Sequence, residues 1–148
     1  MILITTSRDP SRNTRAFART LANLIPYACY EPRGKKSIQD LVELAKNKGY
    51  ERICFVHDEK GNPGKLSFIN INKTWEWAEE IKIIGITYKR IRKPFKELRV
   101  KENGFVEKMF KVENTEDAEL IAYEKGKEIT FLKDREKILR IKLKEDVK

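Results

Sequence analysis

Four arginines, Arg8, Arg12, Arg15 and Arg19, stand in the stretch TTSRDPSRNTRAFAR, and its one acid is Asp9. A guanidinium is flat, always charged and able to donate two parallel hydrogen bonds to a phosphate, so unpaired arginines point to phosphate chemistry. On a helix, Arg12, Arg15 and Arg19 fall at i, i+3 and i+7 and form one stripe. Arg8 stands just ahead, where the backbone N–H groups and dipole of a helix start also favour an anion. The plainer reading is a solvated face, but such faces mix signs, as Glu43, Lys46 and Lys48 do further on. No acidic residue lies within this helix.

Two more basic clusters follow. PRGKKS places Arg33, Lys35 and Lys36 directly before a second helix, with Gly34 allowing close backbone approach; an exposed turn would need the same composition. YKRIRKPFKELRVK, from Tyr88 to Lys101, holds Lys89, Arg90, Arg92, Lys93, Lys96, Arg99 and Lys101 against Glu97. Its Tyr88 and Phe95 could stack on single-stranded bases, or be core residues while the lysines guard strand edges.

The residues that could catalyse are few. His57, Asp58 and Glu59 are adjacent, yet neighbours on a strand point to opposite faces, and acids are common where a hairpin turn opens. GNPGK lacks the spacing of a phosphate-binding P-loop, and Leu66 follows its lysine. We expect no enzyme, with a nuclease at His57 and Asp58 as the weakest alternative. One histidine and two separated cysteines, Cys29 and Cys54, are too few soft ligands for a closed zinc site. They read as core thiols, and neither metal nor cofactor is expected. Trp75 and Trp77, two apart, share one side of a strand and are expected in the core.

The elements that position these groups follow from periodicity. ILITT is a short buried strand; Asp9-Pro10 is expected to start the first helix, Phe17, Leu21, Leu24 and Ile25 to bury it, and Pro26 to end it. A strand near Tyr27–Tyr30 precedes a second helix, opened by a Ser37–Asp40 capping box and closed by Gly49. RICFVH and KLSFINI pair across DEKGNPG, and IKIIGITYKRI is another strand. Asn103-Gly104 is expected to turn a hairpin between FKELRVKE and FVEKMFKV. Residues 114–132 fit either a short helix plus strand or a second hairpin around Lys125–Lys127, and KILRIKLK is a half-buried strand.

This order gives an α/β (α+β) class with a mixed sheet and helices. We read one domain over 1–148, divisible into halves 1–75 and 76–148. Thirty-two basic against 23 acidic residues give a net charge of +9, which suits a polyanion such as RNA or a Lys/Glu-rich thermophilic surface. No apolar run approaches a membrane span, and nothing resembles a signal peptide, so no membrane partner and a cytoplasmic location are expected.

ILITTSRDPSRNTRAFARTL, an RG ahead of a Ser-capped helix, and VHDEKGNPGKLSFI, all within residues 2–70, resemble the Brix-domain proteins of ribosome biogenesis. The likeness is to the branch that assists small-subunit rRNA processing and to its short archaeal members. It implies a non-enzymatic, rRNA-binding assembly factor whose partners are rRNA or pre-rRNA and other assembly proteins. It also implies two α/β halves, each similar to the anticodon-binding domain of class IIa aminoacyl-tRNA synthetases, and hence a helix in 114–124. NKTWEWAEE departs from the family pattern. The RNA-binding residues expected are Arg8, Arg12, Arg15, Arg19, Arg33, Lys35, Lys36, Lys89, Arg90, Arg92 and Lys93. A protein-interaction adaptor with a thermophilic basic surface is the alternative.

Overall fold

The computed structural model describes residues 1–101 and 104–144. Its strands are β1 (Ile2–Thr6), β2 (Cys29–Tyr30), β3 (Arg52–Glu59), β4 (Asn62–Ile71), β5 (Trp75–Tyr88), β6 (Arg99–Lys101), β7 (Leu120–Lys125), β8 (Glu128–Lys133) and β9 (Glu136–Leu143). Three helices join them: α1 (Arg12–Leu24), α2 (Ile38–Lys48) and α3 (Phe105–Phe110). The strands form one mixed sheet in the order β2-β1-β3-β4-β5-β9-β8-β7-β6. The fold is α+β with a large mixed sheet and few helices.

The same pairing scheme occurs twice. β1 runs parallel to β3, which pairs antiparallel with β4, and β4 with β5. β6 likewise runs parallel to β7, which pairs antiparallel with β8, and β8 with β9. The two sets meet where β5 pairs antiparallel with β9 at the middle of the sheet. A helix lies between the two parallel strands of each set, but only the first set adds β2 and α2.

One continuous core joins the sets on the face that carries α1 and α3. It includes Phe17 and Leu21 of α1, Phe68 of β4, Val106 and Phe110 of α3, and Phe131, Leu139 and Ile141. Phe68 meets Phe110 edge-on at 6.0 Å, so the two sets share aromatic packing. The other face has a smaller core, where Leu41, Val42 and Ala45 of α2 cover Leu3, Ile53, Phe55 and Ile69.

Several expectations are corrected. Ser11, not Asp9, caps α1: its Oγ accepts from the Thr14 N–H at 3.2 Å, and Asp9 has a left-handed φ of 51°. β3 continues through Glu59, and Lys60-Gly61 make the tight turn with φ of 52° and 86°, a geometry glycine favours at its second position. The segment FVEKMF is helix rather than strand. Val106, Met109 and Phe110 bury one side of it, so the hairpin expected there does not form; Asn103 lies outside the described residues. Its first N–H groups are taken up by Glu124 of β7, from Phe105 at 3.2 Å and Val106 at 2.6 Å. The helix expected in 114–124 is absent; β7 and β8 form the hairpin there, turning at Gly126 with φ of 62°. Trp75 and Trp77 share a side of β5, but only Trp75 packs against the core that α2 covers, and Trp77 is 51% exposed.

Candidate nucleic-acid interface

α1 displays its arginines because the opposite stripe is consumed by the core. Thr14, Phe17, Ala18 and Leu21 are buried, which leaves Arg12, Arg15 and Arg19 exposed along one side. The helix start is fixed from β3. Asp58 accepts hydrogen bonds from the Ser11 N–H at 2.7 Å, the Thr14 hydroxyl at 2.9 Å and the Gly61 N–H at 3.0 Å. These donors, Ser11 foremost, hold the Asp58 carboxyl down at about 2.

The segment between β5 and β6 runs beside the helix. Asn23 donates to the Ile91 carbonyl at 2.6 Å and its own carbonyl accepts from the Phe95 N–H at 2.9 Å, a two-point clamp. Nearer the helix start, Tyr88 donates to the Asn13 carbonyl at 3.3 Å and packs edge-on against Phe17 at 5.7 Å. The clamp turns Arg90 and Arg92 toward the helix stripe. Together they enclose a groove of about 720 Å³ lined by Arg12, Arg15, Arg19, Arg90, Arg92 and Tyr30.

Among the described residues no acid lines this groove, and none of the five arginines makes an ion pair. Five guanidinium groups concentrated without counter-charge repel one another, and a bound polyanion relieves that cost. Arg19 lies over the Tyr30 ring at 5.3 Å, which gives the groove wall a flat aromatic–guanidinium surface. Burial raises the Tyr30 pKa, with Arg19 and Arg15 opposing it, so the ring is neutral at pH 7.

The other expected residues are distributed differently. Arg33 is buried, donating to the Thr6 carbonyl at 3.1 Å and the Lys36 carbonyl at 2.9 Å while covering the Phe55 ring. It braces the loop before α2; burial, then the charge of Arg8, lowers its pKa. Lys36 pairs with Glu31 at 3.4 Å and donates to the Pro32 carbonyl. Lys89 pairs with Glu136. Arg8, Lys35 and Lys93 are exposed and lie outside the groove lining. Two of the three basic clusters therefore contribute to the groove, and the loop cluster does not. Sequence reasoning missed Tyr30 and Asn23, since neither belongs to a charged run.

His57 and Asp58 do not converge. Asp58 is spent on the α1 start, while His57 faces the α2 side and shares a 2.6 Å hydrogen bond with the Ser67 hydroxyl. Burial, then the Lys65 charge, lowers the His57 pKa and keeps the ring neutral at pH 7. Among the described residues no group of three or more His, Cys, Asp or Glu is placed to hold a metal ion. No described helix is long and apolar enough to cross a membrane.

No protein-family model matches the chain. A protein of Thermococcus kodakarensis named "Probable Brix domain-containing ribosomal biogenesis protein" is 42% identical over 91 residues, 61% of this chain and 44% of that protein. A Pyrococcus horikoshii protein of the same name is 41% identical over 91 residues and is matched over 41% of its length. The matched segment thus spans less than half of these relatives. Among solved structures, the probable ribosomal biogenesis protein of Aeropyrum pernix K1 superposes with a TM-score of 0.78 at 20% identity, covering 99% of this chain and 97% of that one. An archaeal Imp4-like protein, Mil, gives 0.73 at 21% identity, with 97% of both chains covered. The sequence resemblance and the fold agree.

Proposed function

We propose that this chain, a homologue of Brix-domain ribosomal biogenesis proteins, binds rRNA as a non-enzymatic assembly factor, and that the groove between α1 and residues 89–98 receives the RNA backbone. One observation carries the reading: arginines from two sequence clusters, more than seventy residues apart, line one groove with no acid among the described residues. Backbone-led binding suits a factor that must hold RNA without altering it, and sequence preference would then come from RNA shape or unpaired loops. The His57–Glu59 run does not favour hydrolysis, since Asp58 and His57 are turned apart and each is bonded elsewhere.

The test is an RNA titration over a range of salt with Arg12, Arg15 and Arg19 all changed to Glu. The wild-type affinity should fall steeply with salt, and the variant should bind more weakly with a slope shallower by about 2 for a single strand. A folded variant with unchanged affinity and slope would remove the groove from RNA binding.

A further inference from the structure

On the side of the sheet away from the main core, the two sets of strands differ. α2 covers β1 and β3 there, but among the described residues the second set has no counterpart of α2, and α1 and α3 both belong to the opposite, core-forming side. The register shows what this leaves uncovered. Val100, Ala122, Phe131 and Leu139 are buried toward the core. The alternate positions form a row across five strands: Lys101 beside Tyr123, Tyr123 beside Thr130, Thr130 beside Arg140, and Arg140 beside Thr87.

Tyr123 stands within this row and is 37% exposed. Its neighbour Thr130 is buried at 9% exposure, beneath the surface at which the Tyr123 ring is exposed. Lys101 lies one strand away, about 4.8 Å, and Arg140 two strands away. Arg99, Lys125 and Lys142 flank the row, all exposed. Among the described residues the carboxylate set among them is Glu128, held by Arg140 at 2.5 and 3.2 Å. Trp77 is exposed on the same side, toward the first set of strands.

A sheet face left without a covering helix among the described residues, with an exposed aromatic ring in a field of cations, fits one ligand chemistry. Cations follow a phosphate backbone, and the ring offers a stacking face to a base whose own faces are open, which a duplex does not present. We propose that the uncovered face of β5-β9-β8-β7-β6 binds a single-stranded RNA segment, with Tyr123 stacking on a base. This site is separate from the groove. The excess of cations argues against a neutral protein partner, and an acidic one is an outcome that the test excludes.

The 148-residue chain is titrated by fluorescence anisotropy with a labelled twelve-nucleotide oligouridylate and with a twelve-base-pair RNA duplex, across salt. Tyr123→Ala should weaken oligouridylate binding at least about fivefold while leaving its salt slope and duplex binding unchanged. Tyr123→Phe should bind as wild type. Lys125→Glu with Lys142→Glu should make the salt slope shallower by about 1 and keep the fold, since both side chains are exposed. Wild-type affinity in Tyr123→Ala, or equal losses for duplex and single strand, would overturn the stacking site. If only the arginine variant of α1 loses binding, the groove stands and this face fails; if only Tyr123→Ala does, the converse holds. Polyglutamate binding tighter than that of oligouridylate, and lost when Lys125 and Lys142 are changed to Glu, would assign the face to an acidic polypeptide and overturn the RNA assignment.

Discussion

In the first half of the sheet the chain leaves β1, passes through α1, adds β2 at the edge, and passes through α2 before entering β3. In the second half it leaves β6 and reaches β7 through one short helix, α3. Both crossovers are tethered in the same way, by a carboxylate near the end of the strand they lead to. Asp58 of β3 holds the start of α1, and Glu124 of β7 holds the start of α3. The first half spends its additional helix on covering the sheet's second face; the second half leaves that face open. A shared way of positioning helices is thus compatible with different surfaces.

The comparison breaks most directly at the packing between the halves. Phe110 of α3 is fully buried and meets Phe68 of β4 edge-on. Phe110→Ala should cost about 3–5 kcal/mol, the range for truncating a buried aromatic that leaves a cavity. Because the core is continuous, heat or denaturant should unfold the variant in one transition seen equally by tryptophan fluorescence, which reports on β5, and by far-UV circular dichroism. Two separated transitions would show that the halves fold as independent units.

A smaller effect is expected at the first tether. The Asp58 carboxyl titrates at about 2 in the folded chain, against an ordinary value of about 3.9. A depressed folded value stabilises the fold above the unfolded value, so the contribution is complete above about pH 5 and is lost as pH falls through 4 toward 2. Asp58→Asn should cost about 1 kcal/mol at pH 7, allowing for solvent screening, and less as the pH approaches 2. Parallel stability curves for wild type and variant from pH 7 to 2, followed by urea unfolding, would show that the charge of Asp58 does not hold α1.

The two halves also differ in how much of them the sequence discloses. α2 is legible because its signals are local: Ser37 and Asp40 bond reciprocally at 2.9 and 3.1 Å, and Gly49 adopts φ of 77° at its end. α3 carries no such local cap, and its stabilising carboxylate is Glu124, far along the chain, so FVEKMF reads equally as a strand. The arginine stripe was visible because a helix repeats its faces. Its meeting with Arg90 and Arg92 was not, since that depends on the Asn23 clamp across 68 residues. Charge alone also misplaced Arg33, whose acceptors are the carbonyls of Thr6 and Lys36. In the relatives the sequence match covers 61% of this chain while the fold match covers 99%, so pairing and packing extend well past recognisable identity.

The smallest effect sharpens the comparison at the element only one half possesses. Ser37→Ala removes the hydroxyl that accepts from the Asp40 N–H and should cost about 0.5–1 kcal/mol. α2 buries only Leu41, Val42 and Ala45 and closes one face of β1 and β3, whereas the main core lies on the other face. Loosening its first turn should therefore be felt locally. In native-state hydrogen exchange, amides within α2 should exchange several-fold faster in the variant, while those of β8 and β9 keep their wild-type rates relative to global unfolding. Equal acceleration of β8 and β9 beyond the measured change in global stability would mean that α2 cannot open without the second half. The helix would then be part of the shared core's cooperative unit, rather than a cover added to one side of the sheet.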